Sequence, residues 1–133
     1  MGALRIAALG ILLTANTAAM ADPVTLICNM VDTGRGTYQE DEPTTVELNE
    51  QQNSVTVHFG REHLAVGASN HVLTAWTQGP VIATFTDNAI SFSLVQFGKP
   101  ASSLINRLTG TFVITQDQHD VGSWTCHAAQ KQF

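Results

Sequence analysis

The sequence predicts an all-β protein: a single antiparallel barrel or barrel-like sandwich of eight or nine strands, preceded by a signal peptide. Three observations carry that expectation. Apolar residues alternate with period two almost throughout the chain beyond residue 21, and no 3.6-residue period is sustained. Turn-forming residues interrupt the alternation at intervals of about ten residues, the spacing of short antiparallel strands. Cys28 and Cys126 fall in the first and last alternating segments, so a disulfide between them would tie the two ends of the sheet.

The N-terminal 21 residues read as an export signal. Arg5 supplies the positive region, Ile6 to Leu13 the apolar region, and Ala19-Met20-Ala21 an A-x-A cleavage site before Asp22 and Pro23. The apolar run is too short for a spanning helix, which needs about 20 residues. Residues 22–133 then form one all-β domain of about 112 residues, expected in the periplasm or beyond the cell and without a membrane span after cleavage.

Along that domain, Val24 to Met30 is the first strand, with Val24, Leu26, Cys28 and Met30 on one face. Asp32 to Pro43 holds Gly34, Gly36 and the trio Glu40-Asp41-Glu42, and is expected to be an exposed loop. Thr44 to Leu48 and Ser54 to Phe59 are strands around a polar turn, with Val46, Leu48, Val55, Val57 and Phe59 inward. After a turn at Gly60 to Glu62 comes a short apolar piece, Leu64 to Val66, and a second turn at Gly67 to Asn70. His71 to Thr77 is a strand that Gln78-Gly79-Pro80 should end, because proline offers no ladder donor. Val81 to Thr86 and Ala89 to Phe97 form a hairpin around Asp87-Asn88. Gly98-Lys99-Pro100 is expected to be a loop. Leu104 to Arg107 and Thr111 to Thr115 make another hairpin, bent at Thr109-Gly110, and Val121 to His127 is the last strand.

Composition narrows the function classes. Removing Arg5 with the signal leaves five basic against eleven acidic residues, a net charge of about −6. Nucleic acid needs basic residues to displace counterions, and anionic membrane surfaces attract basic patches, so neither is an expected partner. A protein or a small neutral ligand remains open. A bridge across about 99 residues has a large entropic effect on the unfolded chain, on the order of 4–5 kcal/mol at most.

No motif names a reaction. The five histidines contain no H-x-H pair, although His58, Glu62 and His63 flank one turn; no metal and no cofactor are expected. The consecutive acids Glu40-Asp41-Glu42 lack the spaced pattern of a calcium loop and read as a solvated charge run. No G-x-S-x-G nucleophile signature is present, and no catalytic residues are assigned. The aromatics Trp76, Trp124, Phe59, Phe85, Phe92, Phe97 and Phe112 fall mostly at inward positions. Tyr38, beside the acidic trio, is a candidate partner contact, as are Glu40, Asp41, Glu42, Ser69 and His71.

The C-terminal third carries Ile105-Asn106-Arg107-Leu108-Thr109-Gly110, then Gly122, Cys126, Lys131 and Phe133. It resembles small exported Gram-negative proteins of unassigned function that share a hydrophobic-Asp/Asn-Arg-x-Thr-Gly pattern followed by a Gly and a Cys. Asn106, Arg107, Thr109 and Gly110 are expected to play a structural part: Gly110 permits the bend, and Arg107 ties a neighbouring strand or the chain end. A looser likeness is to periplasmic lysozyme inhibitors, which insert a Ser-Gly-x-x-Tyr type loop into the enzyme cleft. The nearest segment here is Gly67-Ala68-Ser69-Asn70-His71, without the tyrosine. The expectation is therefore a non-enzymatic exported binding module; the alternatives are an inhibitor of a basic cell-wall hydrolase and a small hydrolase with an unrecognised site.

Overall fold

A computed structural model describes residues 23–31, 38–64 and 72–129. The signal segment 1–21 lies outside the described residues. Eight strands form a closed antiparallel barrel: β1 (Val24–Met30), β3 (Thr44–Asn49), β4 (Ser54–Phe59), β7 (Trp76–Phe85), β8 (Ala89–Gln96), β9 (Lys99–Asn106), β10 (Thr111–Gln116) and β11 (His119–Ala128). Their order around the barrel is β1-β11-β10-β9-β8-β7-β4-β3, and β3 pairs back onto β1. Closure leaves the main sheet without a free edge.

A second, three-stranded sheet is built from β2 (Tyr38–Glu40), β5 (Glu62–Leu64) and β6 (Val72–Leu73). β2 belongs to the β1–β3 connection, while β5 and β6 belong to the β4–β7 connection. Cys28 faces Thr44 and Phe59 faces Trp76, so both connections leave the same end of the barrel. The small sheet caps that end. Gly60 N donates to Thr44 Oγ1, and Asp41 N donates to Arg61 O at 2.7 Å.

Period two decides the core. Inward residues alternate with less buried ones along most of the barrel strands, as in Ile90, Phe92 and Leu94 against Ser91, Ser93 and Val95. Phe112, Ile90, Leu94, Ile114, Val46, Val55 and Val57 are fully buried, and each such side chain adds roughly 1.5–3 kcal/mol of burial. A run of aromatic rings crosses the interior. Trp76 stacks on Phe59 at 4.6 Å, Phe59 meets Trp124 at 6.0 Å, Trp124 stacks on Phe112 at 4.9 Å, and Phe112 meets Phe92 at 5.9 Å. Gly122 makes room for this run: a Cβ there would lie 2.5 Å from the Trp124 ring. Cys28 and Cys126 are bonded and sit directly opposite each other on β1 and β11, with Cα atoms 4.0 Å apart.

The strands differ from expectation in several places, among them Glu62, which opens β5 where a turn was expected. Asp32 to Pro43 is not all loop, because Tyr38–Glu40 pairs with β5. The expected strand from His71 to Thr77 is broken after Leu73, and β7 then continues from Trp76 straight through Gly79–Pro80, which is a cis peptide. A bulge explains this: Val55 faces Val81 and Val57 faces Gln78, so Gly79 and Pro80 together oppose Thr56, and Pro80 drops out of the ladder. Residues 98–100 are not a loop. The bend is Phe97-Gly98, both at positive φ, and Lys99 already opens β9. Phe97 is consequently 84% exposed at a hairpin tip instead of inward, and Trp76 is 42% exposed where it lies over Phe59.

Candidate functional site

The aromatic run does not reach the barrel end opposite the small sheet. There a cavity of about 430 Å³ opens between the starts of β1 and β8 and the ends of β3, β7, β9 and β11. Its apolar lining includes Leu26, Leu48, Phe85, Ile90 and Ile105, with Cys126 beside them and Val24 and Ala128 toward the mouth. Alternation explains the set. Leu26 lies two residues before Cys28, Leu48 two after Val46, Phe85 two after Ala83, Ile90 two before Phe92, and Ile105 two after Ser103. Ile90 and Ile105 are buried and form the floor; Leu26, Leu48 and Phe85 are half-buried and form the walls. The volume falls within the range of small-molecule pockets.

Strand ends and turns make the rim, which carries Asn49, Glu50, Asn106, Arg107 and His127. The segment Asn106 to Gly110 is closely braced. Asn106 Oδ1 accepts from the N–H groups of Leu108 and Thr109 at 2.9 and 3.1 Å, and Gly110 N donates to Asn106 O. Thr109 Oγ1 and Thr111 Oγ1 are 3.0 Å apart. Gly110 has φ +79°, and a Cβ would lie 2.7 Å from the Cys126 carbonyl oxygen. Arg107 joins three turns. Its N–H donates to Asn88 O at 2.8 Å, its Nη1 to Thr86 O at 2.8 Å, and its Nη2 to Glu50 Oε1 at 3.4 Å. It thus ties the neighbouring turns, while residues 130–133 at the chain end lie outside the described residues.

The acidic candidates lie at the other end. The Glu40 carboxylate accepts from Met30 N at 3.1 Å, and its second oxygen is buried without a hydrogen bond. Burial raises the Glu40 pKa, against the lowering effect of Met30 N–H, of the nearby Trp124 indole and of the Thr44 backbone. The Trp124 N–H is near enough to act on the carboxylate without making a bond of its own. Glu62, directly across from Glu40 on β5, is raised by burial and then by the Glu40 charge. Asp41 and Glu42 pair with Arg61 Nε at 3.8 and 3.5 Å. This corrects the reading of Glu40-Asp41-Glu42 as a solvated charge run at Glu40 alone: the pairing of β2 brings Glu40 against Met30 N, while Asp41 and Glu42 stay exposed beside Arg61. Tyr38 pairs with Leu64 on β5. Ser69 and His71, and with them the segment likened to an inhibitor loop, lie outside the described residues.

His58 is held by Thr77 Oγ1 at 2.9 Å and Glu47 Oε2 at 3.2 Å. Among the described residues no group of three or more His, Cys, Asp and Glu is placed to hold a metal ion. No helix among them is long and apolar enough to cross a membrane. The sequence reading singled out Arg107 and Asn106 for structure and missed the cavity walls and Glu50. Comparison of the chain with family models, with curated proteins and with solved structures finds no match.

Proposed function

We propose that this chain is a non-enzymatic exported binding module that takes a small ligand into the open end of its barrel. The observation that carries the reading is the cavity of about 430 Å³ between apolar side chains, beneath a braced rim. Such a combination, apolar walls with a few polar groups at the mouth, is what small-molecule sites present. The walls are strands of a closed barrel, and the mouth is stiffened by the bonds of Asn106 and Arg107, so the site is formed in advance of binding. Export, with the disulfide closed in an oxidising compartment, is part of the same proposal.

Titration with the neutral fluorescent probe N-phenyl-1-naphthylamine tests the reading. The expected result is saturable binding of one probe per chain. Leu48→Trp, which extends a wall residue into the space, should weaken it by about tenfold or more while the protein stays folded. Absence of saturable binding, or binding that ignores Leu48→Trp, would overturn the proposal.

A further inference from the structure

The rim gives the cavity a chemical preference. Arg107 is the cation at the mouth that is fixed in place: its main-chain N–H and its Nη1 are both bonded at 2.8 Å to the turn that ends β7. Its remaining interaction is different in kind. Nη2 meets Glu50 Oε1 at 3.4 Å, a long contact, and the Glu50 side chain is 62% exposed. An exposed ion pair of that length contributes little and exchanges readily with other partners. Guanidinium has five donors in a planar fork that matches a carboxylate. Glu50 already shows the chemistry that this face of Arg107 accepts. The apolar floor, Ile90 and Ile105, lies inside, so a ligand with an apolar body and one terminal carboxylate would place each part against its complement. The nearby Glu50 charge disfavours a dianion such as a phosphate monoester more strongly than a monoanion.

We propose that the barrel mouth selects small amphipathic carboxylates, with Arg107 as the anchor of the head group and Glu50 as the internal carboxylate that the ligand displaces. This rests on the cavity being a ligand site. The anchor acts near water, so it adds selectivity on top of the affinity supplied by the walls. Charge-assisted hydrogen bonds give a preference of about tenfold for the carboxylate over a neutral ligand of equal length.

The test compares decanoate with decanol at pH 7, each displacing N-phenyl-1-naphthylamine from the full domain. Decanoate is expected to bind about tenfold tighter than decanol. Arg107→Gln should bring the ratio of the two dissociation constants close to one, and Arg107→Lys, with charge but no fork, should leave it in between. Glu50→Gln should raise the ratio, and this arm stands even if loss of Arg107 disturbs the fold. Equal affinities in the unaltered protein, a preference that survives in folded Arg107→Gln, or a ratio unmoved by Glu50→Gln would overturn the anchor assignment while leaving the cavity as a binding site. Failure of both decanol and decanoate to bind, with no probe bound either, would instead remove the reading on which the assignment rests.

Discussion

A carboxyl group partly withdrawn from water favours its protonated form, and two such groups face each other across β2 and β5. For Glu62 the causes are burial and then the charge of Glu40. Its pKa in the folded chain lies above the ordinary value of 4.5. Between those two values the folded state holds more protons than the unfolded one, so stability falls as pH rises through that window. Above it the full cost is present; below 4.5 it vanishes, because Glu62 is protonated in both states. Glu62→Gln should therefore stabilise the protein at pH 7 relative to the parent and give no gain at pH 4. Both carboxyls keep some contact with water, which limits the gain to about 0.5 kcal/mol. Urea unfolding at the two pH values measures it, and an equal effect at both would show that the charge is not the cause. None of this was legible in Glu40-Asp41-Glu42 as a string. Three adjacent acids look alike in sequence, and only the pairing of Glu40 with Glu62 separates the half-buried one from the two exposed ones that meet Arg61.

β7 and β8 show how a strand is kept in a closed barrel where its ladder fails. β7 spans ten residues, yet it pairs with β8 only at Ala83, Thr84 and Phe85. Toward the capped end the two strands part, and the Gln78 side chain bridges them: Nε2 donates to Val95 O at 2.9 Å, and Val95 N donates to Oε1 at 2.8 Å. A side-chain amide here stands in for a peptide group. Gln78→Ala should destabilise the domain by about 1–2 kcal/mol and speed hydrogen exchange at the Val95 amide. Gln78→Glu keeps the acceptor and loses the donor, and its effect should be intermediate. If Val95 exchange is unchanged in Gln78→Ala, the bridge is not what holds the strands. At this scale the alternation of apolar residues was enough to place most barrel strands, because period two is a local property of each segment. It failed at Pro80 and Phe97. Pro80 is a reliable strand breaker only when its position must donate, and the bulge opposite Thr56 removes that demand. Phe97 is an unusual residue at positive φ, so the signal of the Phe97-Gly98 bend rested on Gly98 alone. The cavity is a harder matter. Leu48 and Phe85 were readable as inward and Leu26 as sharing a face with Cys28, but whether one level of a barrel is filled depends on the register of its strands together, which no single segment contains.

For the molecule as a whole, the disulfide links residues 98 apart in sequence that are neighbours across the β1–β11 seam. The expectation that the first and last strands adjoin, and that the sheet closes on itself, is met by this barrel. Closure alone would hold the seam in the folded state, since Leu26 to Met30 already pairs with Trp124 to Ala128. The bond therefore acts chiefly on the unfolded chain, where it restrains nearly the whole domain and removes entropy in proportion to the logarithm of the loop length. It also couples the seam to the mouth of the barrel. Cys126 borders the cavity, and its N–H donates to Gly110 O at 2.7 Å, in the turn that carries Arg107. Replacing both cysteines by alanine should cost about 2–4 kcal/mol, with a fall in Tm on the order of 10–20 °C for a domain of this size. Reduction of the unaltered protein should give a similar loss. If the bond also steadies the mouth, the double variant measured well below its Tm should bind decanoate more weakly, with decanol affected less, because the change reaches the rim through Gly110 and not the apolar floor. A variant that keeps the full melting temperature would show that the hydrogen-bonded seam alone sets stability. A variant that melts lower but binds both ligands as before would confine the bond to the unfolded chain and free the mouth from it.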